Sequence, residues 1–436
     1  MTRALLSALV LAPLLACTKG VVDPETGADT ADSAADPTLG IGPAAVTPSG
    51  PYGEHSFDVP ADAHWVNTGV FLREGETLEI TATGTWELDG QALSTEGDAA
   101  LGEQRGCALG SLAVRSGLRF EDALSCVGAG ASFTAESDDV VYVGMIFATD
   151  LGDAYGERLR ADGALQVTVS ASADTVPTVS IDSLLDYPFD QVSSGWVELQ
   201  SAHHLVTLPA DQVVADMATA QAAMDTMDRI YEIEESMRGA APFEGERIRW
   251  VPDASIEDFA YMLASNPVRG VPALFDGGED QRILRAAEPN TDIWGFAHEL
   301  GHCFSFVNGT WVYQYVNLES WPNLFTIRVL EELERTENQP NYETYCDGKE
   351  SYLAGGEYET LAADPFLQLC FLKDFESEYG ASFYDDFFQG MNSQSNSDIA
   401  YDGTEASIWG YVKGRFDLAA GQNTAEVFEK WGVPVE

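Results

Sequence analysis

The stretch WGFAHELGHCF, residues 294–304, sets two histidines four apart with a glutamate between them. The chain holds only six histidines in 436 residues, so a pair at this spacing stands out. In an α-helix, residues four apart lie on one face, one turn from each other. His298 and His302 can therefore both offer a ring nitrogen to one zinc ion at about 2.0–2.1 Å. Glu299 is rotated one residue further round and is placed to act as a general base toward a water at the ion. Trp294, Phe296, Leu300 and Phe304 make the helix amphipathic and buried, which disfavours a chance pairing. Gly301 costs roughly 1 kcal/mol of helix stability relative to alanine, and the close approach of another backbone is the natural reason for it.

A catalytic zinc site takes three protein ligands and one open position. No third histidine follows His302, so the third ligand is expected to be a carboxylate from a neighbouring helix. VNLESWPNLFTIRVLEELE offers Glu319, just ahead of a helical pattern with Leu324, Ile327 and Leu330. Pro322 fits the first turn of that helix. Glu331, Glu332 and Glu334 are the competitors, and their spacing reads as a solvated helix face. Asn323, one turn past Glu319, is a candidate to orient a ligand or to touch substrate. Trp294 and Trp311 are the other candidate substrate contacts. Tyr313 and Tyr315 are candidate stabilisers of a developing oxyanion. Cys303 points away from both histidines and reads as core or disulfide. His203 and His204 are adjacent in a strand, face opposite ways, and read as structural.

The charge is extreme. Seventy-one acidic residues oppose 22 Lys and Arg, a formal net charge of -49. Such a field repels nucleic acid and anionic lipid surfaces, so neither is expected as a partner. At the N-terminus, MTRALLSALVLAPLLAC carries one arginine and then an apolar run too short to span a bilayer, the pattern of a secretory signal. Residues 1–17 are read as that signal. Its ending, Leu14-Leu15-Ala16-Cys17, resembles a bacterial lipobox, which implies cleavage before Cys17, a lipid anchor at Cys17 and placement at the outer membrane or cell surface. Export implies an oxidising setting. Of the remaining cysteines, Cys107 and Cys126 share one region and are the expected bridge; Cys303, Cys346 and Cys370 leave one thiol over.

Residues 18–50 are rich in Asp, Thr, Ala, Pro and Gly and cannot bury a core, so they read as a disordered acidic tether. From 51 to 173 the pattern is all-β: VNTGVFL, ETLEITATGTWEL, DDVVYVGMIFATD and GALQVTVSAS are separated by Gly and Asp turns. That spacing predicts a β-sandwich. From 178 to 436 the pattern changes. WVELQSAHHLVTLP reads as two strands. Val213, Val214, Met217, Met224, Met227 and Tyr231 recur at helical spacing as a core stripe. ERIRWVP reads as a buried strand, after which Ser255 is expected to cap a helix. Helices are expected over 320–336 and 364–379.

These residues carry two family resemblances. The β-region is similar to the galactophilic lectins through Asn67-Thr68-Gly69, Gly84-Thr85-Trp86 and TDLGDAYGERLRADGALQVTV. That family holds a sugar through calcium, and Asp150 matches its aspartate, which implies a Ca²⁺ site in the β-sandwich. Glu157 and Arg158 stand where the family has two asparagines, and an arginine beside calcium is unfavourable. The domain is therefore read either as a lectin-like glycan-binding module or as a spacer. The C-terminal region resembles the enhancin-type, mucin-directed gluzincins, the M-sixty-like metallopeptidases. The match runs through Trp294-Gly295, His298-Glu299-Leu300-Gly301-His302, Trp311, then Glu319 with Asn323, Leu324 and Phe325. The family often has Asn and Gln where Cys303, Phe304 and Ser305 stand, which bears on substrate preference rather than on the metal.

The expected fold is thus multidomain: an N-terminal all-β sandwich, then an α+β gluzincin metallopeptidase domain, mostly helical in its second half. The resemblance implies a surface-anchored Zn²⁺ endopeptidase that cleaves mucin-type O-glycosylated proteins. Its metal ligands would be His298, His302 and Glu319, with Glu299 as base. The rival readings are a gluzincin protease with no glycan requirement and a non-catalytic glycan-binding adhesin.

Overall fold

The computed structural model describes residues 52–61, 65–88, 90–117, 124–146, 161–258, 260–264, 266–275, 283–305, 316, 318–392 and 404–435. The signal, the tether, Asp150, Glu157, Arg158, Trp311, Tyr313 and Tyr315 lie outside them. The described chain divides into two compact units. One takes in the residues up to Met224 together with Gly245–Leu284; the other comprises Asp225–Glu244 and Arg285 onward.

The first unit opens with a β-rich region of two sheets. One sheet runs Gln91–Ser94, Thr85–Leu88, Ala161–Ala171, Thr77–Thr83, Gly130–Thr134, with Gly53–Pro60 also paired to Ala161–Ala171. The other runs Asp174–Thr175, Val66–Leu72, Asp139–Met145, Cys107–Ser116, Glu96–Gln104, with Leu124–Cys126 on Cys107–Ser116. Leu78, Ile80, Trp86, Val167 and Val169 of the first sheet share one apolar core with Leu112, Val114, Val141 and Val143 of the second. Thr77–Thr83 alternates exposed and buried as a half-buried strand must. A Cys107–Cys126 disulfide closes the expected bridge.

Val66–Leu72 and Asp139–Met145 are buried at every position. The reason is a third sheet in the same unit, ordered Thr178–Ser180, Trp196–Gln200, His204–Pro209, Ile248–Pro252, Val268–Gly270, Met262–Leu263. Phe71, Val140 and Tyr142 pack with Val251 of that sheet in a second apolar cluster. Tyr142 and Thr207 share a 2.7 Å hydroxyl hydrogen bond. Buried Arg249 pairs with buried Glu198 and donates to Trp65 O at 3.2 Å. Buried His204 accepts from Trp250 Nε1 at 3.0 Å and is structural. Ser255 does not cap a helix: Asp253 is the cap, its carboxylate accepting from Ser255 N, and the element it caps is a single 3₁₀ turn, Ala254–Ile256.

The second unit is helical. Five helices position the site: α1 (Met217–Arg238, whose second half lies in this unit), α2 (Trp294–Ser305), α3 (Ser320–Glu332), α4 (Pro365–Tyr379) and α5 (Phe383–Gly390). α4 starts because Asp364 accepts from Phe366 N and Leu367 N and Pro365 takes the first helical position; it stops at Gly380, with φ 107°. α3 ends at Glu332, short of the expected 336, and Glu334 beyond it takes a left-handed φ of 53°. Phe375 anchors an aromatic core, its ring 4.6 Å from Phe416 and 5.1 Å from Phe428. Cys346 pairs with Cys370, and Cys303 is the buried free thiol. Among the described residues no helix is long and apolar enough to cross a membrane.

Candidate metal centre

α2 and α3 pack closely because Gly301 has no side chain. A Cβ there would lie 2.8 Å from Pro322 O and 3.2 Å from Phe325 Cβ, inside real contact limits. The backbone approach expected from the sequence is thus α3, entering beside Pro322. This contact brings Glu319, at the start of α3, onto the histidine face of α2.

His298 Nε2 lies 3.1 Å and His302 Nε2 3.6 Å from Glu319 Oε2. The three donor atoms lie within 4.8 Å of one another. Donors each about 2 Å from one tetrahedral ion sit roughly 3.4 Å apart, so both separations suit a shared ion. The imidazole planes meet at 84°, with centroids 4.7 Å apart. His298 Nδ1 is 2.7 Å from Asn323 Oδ1. An amide oxygen only accepts, so Nδ1 donates to it and Nε2 is the nitrogen that faces Glu319, a donor when the ring is protonated and a metal ligand when it is not. His302 Nδ1 is buried with no hydrogen-bond partner. The donor set fits zinc: two imidazoles and one carboxylate, in a pocket that excludes most water from the rings.

Electrostatics agree. Burial alone disfavours a charged His298, but the Glu319 hydrogen bond and the charges of Glu299 and Glu319 outweigh it and raise its proton affinity. Burial pushes the Glu319 carboxyl up, and hydrogen bonds from His298 and His302 reverse that and hold it well below the usual carboxylate range. Glu319 is thus an anion at any working pH, its side chain 51% exposed on the open side of the site. Glu299 is only 9% exposed within α2.

Two of the competing acids are engaged elsewhere. Glu331 pairs with Lys373 at 3.2 Å, and Glu332 lies 3.7 Å from Arg328. Trp294 is buried, its ring 5.8 Å from Phe366. Asn323 is only 2% exposed and holds a ligand ring instead of facing substrate.

Sequence reasoning missed what fastens α2. At its C-terminal end, Arg238 of α1, fully buried, donates to Phe304 O at 3.0 Å and to Phe388 O of α5. Glu234, one turn earlier on α1, is buried with neither carboxyl oxygen hydrogen-bonded. The signal was present: Met227, Tyr231, Glu234 and Arg238 share one helix face, so two charges sit on a stripe read as core.

An HExxH helix meeting a carboxylate from the next helix, in a chain that also holds a mixed sheet and a helical second half, carries the donor set of a metallopeptidase. The family profile described as peptidase M60, enhancin and enhancin-like matches residues 188–432. The chain belongs to that family, and membership implies zinc. No curated protein matches the chain in sequence. Solved structures share the fold. A functionally unknown conserved protein from Bacillus anthracis is 15% identical with TM-score 0.59, covering 88% of this chain and 76% of that one. The ZmpB metallopeptidase from Clostridium perfringens is 15% identical with TM-score 0.54, covering 85% and 74%. The M60 catalytic domain of Clostridium perfringens ZmpC, in complex with the sialyl T antigen, is 14% identical with TM-score 0.52, covering 85% and 72%.

Proposed function

We propose that the protein is a zinc endopeptidase that cleaves glycoproteins of the mucin-type O-glycosylated class. The observation that carries this is the convergence of His298, His302 and Glu319 beside Glu299, in a chain of a peptidase family. Bound zinc supplies a Lewis acid that polarises the scissile carbonyl and makes water acidic enough to attack near neutral pH. His298 and His302 present ring nitrogens, Glu319 presents a carboxylate oxygen, and Asn323 keeps the His298 ring in orientation and tautomer. Glu299 takes a proton from the attacking water and returns it to the leaving amine. A glycan-bearing substrate is supported by the sialyl T antigen in the ZmpC structure. The acidic chain disfavours nucleic acid and anionic lipid surfaces as partners.

The test is a synthetic O-glycopeptide and its enzymatically deglycosylated twin, digested side by side and read by mass spectrometry. Cleavage of the glycopeptide alone, abolished by a chelator and restored by zinc, is the expected result. Equal cleavage of both removes the glycan from the proposal and leaves the peptidase; cleavage that survives chelation removes the metal.

The β-rich region is proposed as the lectin-like module of the chain, and no calcium site is assigned to it. The two disulfides accord with export, and the proposed location is the cell surface, through a lipid on Cys17. A labelled fatty acid fed to expressing cells is expected to appear in the protein and to vanish in Cys17→Ser. Label that persists in Cys17→Ser, or never appears, ends the anchor.

A further inference from the structure

The two ligand helices meet at Gly301 and Pro322, through the His298–Asn323 hydrogen bond and at the Phe304 and Phe325 rings. The N-terminal end of α2 has a further attachment, made by the chain that leaves α3. Gln339 is fully buried. Its Oε1 accepts from Ile293 N at 3.3 Å, and its Nε2 donates to Thr291 O at 3.0 Å. Arg335 donates to Ala286 O, to Glu288 O and, at 2.8 Å, to Thr291 O. The segment entering α2 is thus gripped by two side chains 44 to 49 residues further on.

The grip is held at a conformational cost. Glu334 and Asn338, flanking it, both take left-handed φ values, 53° and 61°. Neither is glycine, and such backbone is unfavourable for Glu334 in particular, while asparagine adopts it more readily. Asn338 also donates to Asn290 Oδ1 at 3.1 Å, tying the same two segments. Trp294 and Gly301 are seven residues apart, a span of about 10 Å at helical rise. His298 lies between the two fastenings.

We propose that Arg335 and Gln339 are positioning residues: a clasp that sets the register of the HExxH helix on the Glu319 helix and thereby the zinc affinity. This rests on the metal reading of the site. The clasp touches no ligand, so its effect is transmitted only through where α2 sits.

The experiment compares the full-length protein with Gln339→Leu, Arg335→Met and the milder Arg335→Lys, which keeps one charged donor and loses the guanidinium fork. Zinc affinity is measured by competition with a chromophoric chelator, and metal-free thermal stability is measured alongside. Phe416→Leu, in the aromatic core away from both ligand helices, is the control for stability loss without clasp loss. Zinc binding is expected to weaken about 10–100-fold in Gln339→Leu and Arg335→Met. Arg335→Lys should be intermediate, and Phe416→Leu should bind zinc like the parent at a similar loss of stability. Unchanged zinc affinity in the clasp variants, or equal weakening in Phe416→Leu, overturns the clasp while leaving the metal site standing. A parent that takes up no zinc overturns both and is recognised before any variant is made.

Discussion

Glu299→Gln should keep its zinc and lose peptide-bond cleavage by about 10²–10⁴-fold, the usual reach of a positioned general base. The side chain sits on α2 between the two histidines, rotated from their direction, so it is no ligand. Glutamine has the same length and nearly the same helix propensity, so α2 keeps its shape and its contact with Pro322. What goes is the group on that turn that can take and return a proton without serving as a metal ligand. The loss should fall on kcat and on kcat/KM alike, because the proton moves only on the way to the transition state. The removed charge also helps raise the proton affinity of His298. The same charge also attracts a dication, so zinc binding should hold or weaken slightly, with His298, His302 and Glu319 all in place. Metal analysis and steady-state kinetics on one preparation decide the matter. A zinc-loaded variant with parental kcat refutes the base assignment; a variant that has lost its metal shows a structural role instead.

The sequence read the site better than its supports, and the reason is range. His298, Glu299 and His302 come from a four-residue helical period, and Glu319 from the absence of any further histidine. Gly301 was legible as a close approach because glycine inside a helix is otherwise a loss. Pro322 as the approaching group was not, since that depends on where α3 lands. Arg335 and Gln339 were invisible for the same reason: nothing local in TENQPN says that two side chains reach back to Thr291. The burial of Trp294 beside Phe366 was not legible, because an aromatic residue next to a motif looks the same in sequence whether it faces outward or packs inward. In the β-rich region, alternation marked Thr77–Thr83 cleanly. The continuous apolar run of Val66–Leu72 recorded burial on both faces without saying what covers the second, which is the sheet holding Val251.

Glu234→Gln should stabilise the catalytic unit, and by more as the pH rises. Glu234 is 0% exposed with no hydrogen bond to either oxygen, and burial raises its pKa well above 4.5, with the nearby Cys303 thiol adding to the effect. Arg238, one turn away, gives its guanidinium to Phe304 O, Phe388 O and Asn392 Oδ1 and does not relieve it. Of the other ionisable groups on the surrounding helices, neither Tyr231 and Glu235 on α1 nor Arg328 on α3 contributes to the shift. The sign is fixed by linkage. Above about pH 4.5 the unfolded chain releases this proton and the folded chain keeps it. Each pH unit up to the folded pKa therefore costs the native state about 1.4 kcal/mol, and glutamine has no proton to lose. Parent and variant should melt together near pH 4.5 and separate upward, by roughly 2–4 °C in Tm per kcal/mol for a unit of this size. Comparison at each pH cancels the pH dependence of zinc binding, which both proteins share. Glu234→Met, which also removes the unpaired polar atoms, should add a gain that does not vary with pH. Melting curves that stay parallel from pH 4.5 to 8 would mean that Glu234 ionises freely in the folded state. The site of the effect gives it weight: Tyr231 packs on Phe304 at 5.1 Å and Arg238 holds the Phe304 carbonyl, so the helix carrying this proton is the one against which the HExxH helix rests.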